Sequence, residues 1–158
     1  MADLAEEIGR LLRECQLTLG VVESATGGLI AHLITGVAGS SGYFRGSVTA
    51  YHNDIKTGII GVKKDTINRY GAVSRQVVEE MARGGQKLLG VDICLADTGI
   101  AGPGGATPEK PAGLFYLGLA HSDNCYSQKH IFKGNRSENK LSAATSALDW
   151  LREYLESH

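Results

Sequence analysis

Ser24 and Lys56 are the residues of this 158-residue chain whose types fit acyl-transfer chemistry. Ser24 ends the apolar run "LTLGVVE" and precedes "ATGG", a pattern that predicts a buried strand running into a helix over 26–35. At such a junction the hydroxyl points outward, and the N–H groups of Ala25, Thr26 and Gly27 face open space as a ready oxyanion hole. A nucleophilic serine needs a base. None of His32, His52, His121, His130 and His158 is placed to supply one. Lys56 opens a short helix after a second strand, near the same sheet edge, and a lysine shielded from water can lose its proton and activate a serine. A capping serine and a solvated lysine are the ordinary readings of these residues, and spacing alone leaves them open.

A second concentration of chemistry lies in the backbone. The chain carries 21 glycines, gathered mainly in 27–46 and 99–118. The loop "TGIAGPGGATPEKPAG" (98–113) lacks the GK[ST] of a phosphate loop, and Thr107 stands where a third glycine would complete G-x-G-x-x-G. It is neither nucleotide fingerprint. It is a long, proline-stiffened turn whose exposed N–H groups suit close approach of a phosphate or carboxylate, though a plain structural connection has the same composition. Arg136 and Lys140 stand one helical turn apart and form a possible anion clamp, whereas Arg45 reads as an ordinary surface cation. Asp54, Asp97 and His52 match no metal-ligand spacing, so no metal is expected.

These residues need a scaffold, and its elements are legible as patterns. Leu4, Ile8, Leu11, Leu12 and Cys15 mark an amphipathic first helix. Strands are predicted at 17–22, 47–51, 91–98, 113–120 and 126–133, the last two joined as a hairpin through "HSDNC". "NDIKTGI" reads as a short helix with Asn53 or Asp54 near its cap, and "KKDTINRYG" as another turn or helix that stops at Gly71. Ser74 is the predicted cap of a longer helix with Val77, Val78, Met81, Leu88 and Leu89 on its apolar stripe and Gly90 as its stop. Ser137 opens the last helix. Strands alternating with helices and then a hairpin imply an α/β fold, a three-layer α/β/α sandwich on a mixed, mostly parallel sheet, with ligands at the carboxyl ends of the strands.

Composition narrows the classes. A chain of this length with 42% hydrophobic residues supports one core and a single domain over 1–158. A net charge of −1 gives no general field for nucleic acid or an acidic membrane. Three cysteines without CxxC spacing argue for reduced thiols and a cytoplasmic protein, and against zinc. The acidic N-terminus does not read as a signal peptide.

Taken in order, "ESATGG" (23–28), "GSSGYFRGSVTAYHNDIK" (39–56), "GAVS" (71–74), "TGIAGPGGATPEKPAG" (98–113) and "FKGNR" (132–136) resemble the C-terminal domain of the CinA family over nearly the whole chain. That domain also exists as a stand-alone nicotinamide mononucleotide amidohydrolase. The resemblance implies hydrolysis of the mononucleotide's carboxamide to nicotinic acid mononucleotide and ammonia, in pyridine nucleotide salvage, by a Ser–Lys pair without cofactor or metal. The matching catalytic positions are Ser24 and Lys56, with Tyr51 beside them to orient Lys56 or relay its proton. Substrate contacts are expected from Ala25, Thr26, Gly27 and Gly28 at the oxyanion, and from Thr98, Gly99, Gly102, Gly104 and Gly105 in the loop. The phosphate is expected on the Gly102–Gly105 turn or the "GSSGYF" loop, with Arg45 or Arg136. Members resemble homo-oligomers, commonly dimers, with Tyr43 and Phe44 as candidate interface anchors and core packing as their other reading. The alternative function is a domain that binds nucleotides without turnover, in competence or damage response. The chain departs from the family pattern at Ala25, often Cys, and at Asp97, usually apolar. The N-terminal pyrophosphatase module of longer members has no counterpart in the match, and its activity is not carried over.

Overall fold

The computed structural model describes residues 2–158. Helix α1 (Ala2–Cys15) leads into β1 (Leu19–Glu23), α2 (Leu29–Thr35) and β2 (Phe44–Thr49). A three-residue helical turn, α3 (Asn53–Ile55), continues as a π-helical turn over Lys56–Ile60, followed by α4 (Lys64–Tyr70) and α5 (Arg75–Leu89). The chain closes with β3 (Ile93–Gly99), β4 (Leu114–His121), β5 (Asn124–Ile131) and α6 (Arg136–Glu156).

The five strands form one mixed sheet in the order β2-β1-β3-β4-β5. β1 pairs parallel with β2 and β3, and β4 runs antiparallel to both β3 and β5, so four strands share one direction. β1 is buried along its whole length and β3 along all but its last residue, as the near-continuous apolar runs at 17–22 and 91–98 require of strands covered on both faces. Alternate residues feed two cores. Val21, Ile93, Leu95, Leu117 and Leu119 pack with α1, α2 and α6. Val22, Cys94, Ala96 and Ala120 pack with Val77, Val78, Met81 and Ala82 of α5. The three-layer α/β/α architecture follows directly from this alternation.

Helix boundaries follow local capping. Ser74 accepts the Val77 N–H at 3.2 Å, and Gly90 ends α5 in the left-handed region at φ 63°. Other edges move. β2 begins at Phe44 rather than 47, β5 spans 124–131, and Asn135 caps α6 in a reciprocal capping box with Glu138, so the helix opens before Ser137. His52, not Asn53 or Asp54, caps the short helix by accepting the Asp54 N–H at 3.1 Å. Among the described residues no helix is long and apolar enough to cross a membrane.

Tyr43 is 1% exposed within the core beneath α1, with the Arg13 guanidinium 5.1 Å from its ring centre, and Phe44 packs against the same cluster. Tyr43 therefore fills the interior of the chain and is not presented as an interface anchor.

Candidate active site

Ser24 follows β1 at the carboxyl edge of the sheet, but the predicted helix over 26–35 starts only at Leu29. Two buried carboxylates organise the intervening turn. Val22 pairs with Ala96, which sets Glu23 and Asp97 side by side on neighbouring strands. Asp97 accepts the N–H groups of Ser24 at 3.0 Å and Thr26 at 3.2 Å. Glu23 accepts those of Gly28, Ile30 and Ala31 at 3.1, 2.9 and 2.9 Å. Gly28 turns the chain into α2 at φ 107°, a conformation that suits glycine.

The predicted oxyanion hole changes accordingly. Thr26 and Gly28 spend their amides on carboxylates, and Gly27 donates its N–H to the Ser24 carbonyl at 3.0 Å. Neither Thr26, Gly27 nor Gly28 lines the cleft in front of Ser24, whereas Ala25 does. The Ala25 N–H is the donor of this run left for a substrate oxygen.

Lys56 is 2% exposed although it is a lysine. Its Nζ lies 2.9 Å from Ser24 Oγ, 2.9 Å from the Ala50 carbonyl and 3.1 Å from the Tyr51 carbonyl. Carbonyls only accept, so a neutral amine gives its two hydrogens to Ala50 and Tyr51 and turns its lone pair toward the serine hydroxyl. Burial pushes the Lys56 pKa below its ordinary value, and the opposing pull of Asp97 is smaller. Lys56 is the first residue of a π-helical turn, a feature frequent at functional sites, and its amine reaches back to carbonyls five and six residues earlier.

A cleft of about 240 Å³ opens in front of this pair. Beyond Ser24, Ala25 and Lys56, it is lined by Thr98 and Gly99 at the end of β3, by Gly104 and Gly105 of the long loop, and by Tyr51 and Arg136. Arg136 donates to the Gly102 carbonyl at 2.9 Å and to the Tyr51 hydroxyl at 3.1 Å, tying loop, phenol and the start of α6 together. Tyr51 thus meets Lys56 through its carbonyl, while its phenol, on a side chain that leaves the residue 60% exposed, faces Arg136. Gly102 contributes its carbonyl to Arg136 and does not line the cleft.

Arg45 and the "GSSGYF" loop lie elsewhere. Arg45 is the second residue of β2, next to Phe44, which pairs with Leu19 at the far end of β1; Thr49 lies four residues beyond Arg45, about 13 Å along the strand. Lys140 approaches Gly27 and does not reach the cleft. A larger hollow of about 440 Å³ shares Val73 with the cleft, but its Lys110 is spent on the Tyr70 and Val73 carbonyls at 2.6 and 2.7 Å. Among the described residues no group of three or more His, Cys, Asp or Glu side chains could hold a metal ion.

Sequence reasoning missed the anchoring by Glu23 and Asp97, and also Asn139, whose side chain holds the Ala101 carbonyl at 3.0 Å and the Gly134 N–H at 2.9 Å. The available signal was two acids at the ends of adjacent buried strands. Burial raises the Asp97 pKa from 3.8 to about 6, with the Glu23 charge adding to it. Between those values the folded state binds more protons than the unfolded chain, so stability falls as pH rises from about 4 to about 6. Asp97→Asn is expected to abolish a decline of about 3 kcal/mol, measured by urea unfolding of both proteins across that range.

The CinA C-terminal domain family matches residues 1–155. A CinA-like protein of Leptospira borgpetersenii is 45% identical over 155 residues, covering 98% of this chain and 37% of its own length. One from Geobacter metallireducens is 44% identical over 151 residues, with 96% and 37% coverage. The chain thus spans little more than a third of these relatives. Among solved structures, a competence/damage inducible protein of Agrobacterium tumefaciens superposes with a TM-score of 0.94 at 36% identity, covering 98% of this chain and 94% of that one. A competence-damaged protein (CinA) superfamily protein of Klebsiella pneumoniae gives 0.96 at 27% identity, with 99% and 98% coverage. With the family model matched over residues 1–155 and relatives aligned over 98% of its length, the chain belongs to the CinA C-terminal domain family.

Proposed function

We propose that the protein is an amidohydrolase that converts nicotinamide mononucleotide to nicotinic acid mononucleotide and ammonia. The observation that carries this reading is a buried lysine whose amine lies within 3.1 Å of two carbonyls that can only accept and 2.9 Å from one serine hydroxyl. Lys56 takes the Ser24 proton as Oγ attacks the carboxamide carbon, and the Ala25 N–H meets the resulting oxyanion. Lys56 then returns the proton to the departing nitrogen, which leaves as ammonia as the C–N bond breaks, and the acyl group stays on Ser24 Oγ as an ester. Water, deprotonated by the same amine, hydrolyses the ester and restores the serine.

In this reading the phosphate sits on the backbone of Gly104 and Gly105 beside Arg136. Arg136→Ala is expected to raise KM for the mononucleotide about 10- to 100-fold with kcat little changed, because a charged contact remote from the reacting carbon acts mainly on binding. Steady-state kinetics separate the two parameters. No step passes through a metal, so turnover is expected to survive exhaustive chelation; loss on chelation with restoration by a divalent ion would overturn the mechanism. The direct test is ammonia release by Ser24→Ala. Undiminished release would remove Ser24 as nucleophile.

A further inference from the structure

Beneath the nucleophile lies a buried arrangement that the mechanism above does not use. Thr26 Oγ1 is 2.6 Å from Glu23 Oε1 and 2.5 Å from Asp97 Oδ1. Both carboxyl groups belong to residues with no solvent exposure. A hydroxyl owns one hydrogen and an ionised carboxylate owns none. Two hydrogen bonds at one threonine oxygen, one to each acid, therefore require a second hydrogen, held by one of the two carboxyl groups.

The donors around each acid decide which one. Glu23 accepts three backbone N–H groups besides Thr26, from Gly28, Ile30 and Ala31. Asp97 accepts two, from Ser24 and Thr26. More donors favour the anion, which places the charge on Glu23 and the proton on Asp97. The chain then runs Asp97 Oδ1–H to Thr26 Oγ1–H to Glu23 Oε1.

We propose that in mildly acidic solution Asp97 is held as a neutral carboxylic acid, a positioning residue that fixes the Ser24 turn through two amides without setting a second negative charge near Lys56. The proposal rests on the Ser–Lys reading for its purpose. The charged groups facing Asp97 are Glu23 from β1 and Lys56 from the segment after β2, while Leu117, opposite it on β4, is apolar. An ionised Asp97 would oppose the loss of the Lys56 proton that burial favours. A protonated Asp97 leaves burial alone to act on the amine. The direction agrees with the burial-driven rise of the Asp97 pKa to about 6. A Thr26 hydroxyl that donates to Glu23 removes a bond that would otherwise favour the Asp97 anion. An apolar residue at this position would leave the Ser24 and Thr26 amides unpaired, which is a reason for an acid here.

Infrared spectroscopy of the full chain labelled with ¹³C-aspartate tests this, because protonated and ionised carboxyl groups absorb separately. One labelled protonated band is expected to persist after exposed aspartates have ionised, to disappear with a midpoint near pH 6, and to be missing from Asp97→Asn. Absence of such a band, or its survival in Asp97→Asn, would overturn the proposal. Should Asp97→Asn fail to fold, Thr26→Val removes the acceptor of the Asp97 proton and is expected to lower the midpoint; an unmoved or raised midpoint would overturn it equally. The band belongs to the resting protein and is expected in Ser24→Ala as well. Its loss would therefore refute a protonated Asp97 whatever the substrate, and failure of the amidase reading would leave the band in place.

Discussion

Lys56→Met is expected to lower release of ammonia from nicotinamide mononucleotide by about 10⁴-fold or more, the scale seen when one member of a concerted catalytic unit is removed. Methionine keeps the unbranched length and suits the buried site, so the loss reports the missing amine rather than a collapsed pocket. The same change is expected to raise the melting temperature, because it removes a buried, desolvated amine whose pKa is already depressed. Activity and stability should thus move in opposite directions, measured by an ammonia assay and thermal unfolding on one preparation. Lys56→Arg is expected to be equally inactive, since a guanidinium cannot give up its proton to become a base. Retained turnover in either variant would show that Ser24 is activated by something else.

Gly113→Ala is expected to destabilise the fold by about 4 kcal/mol or more, at the severe end for single substitutions. Gly113 has φ 91°, and a Cβ placed there would collide with the backbone carbonyl of Phe132. This residue closes the long loop, donating to the Ile100 carbonyl at 2.7 Å and accepting the Phe132 N–H at 2.9 Å. Gly104 offers the contrast. A Cβ there meets nothing within 4 Å, yet the residue lines the cleft. Gly104→Ala is therefore expected to leave urea unfolding within about 0.5 kcal/mol of the parent and to act on KM instead. Equal unfolding midpoints for the two variants would contradict the division between a glycine that holds the loop and one that leaves room for a ligand.

The parts of the molecule legible in the sequence are those governed by local rules. The stripe Val77, Val78, Met81 with Ser74 before it and Gly90 after it specifies α5, because periodicity and both caps lie within the segment. The buried runs of β1 and β3 are equally local. Ser24 and Lys56 were legible as residue types, but their 2.9 Å contact joins residues 32 apart on two different segments, which no local periodicity announces. The turn after Ser24 was misread as helix because its determinants are far apart in sequence. Asp97 reaches across 73 residues to take the Ser24 amide and across 71 to take that of Thr26, while Glu23 reaches forward to claim that of Gly28. Arg45 lies away from the cleft for a topological reason: it is at the amino end of an edge strand, while the cleft sits at the carboxyl end. Tyr51 lies at the site as expected but turns its carbonyl, not its phenol, to the lysine.

The central claim is that the buried Ser24–Lys56 pair cleaves the carboxamide of a nicotinamide mononucleotide. Ammonia release by the purified chain, measured side by side on nicotinamide mononucleotide, free nicotinamide and the nicotinamide dinucleotide, tests it most directly. The account predicts turnover of the mononucleotide alone, abolished in Ser24→Ala. Tight binding of the mononucleotide with no ammonia released, from folded protein with Ser24 and Lys56 intact, would contradict it and make the domain a nucleotide binder.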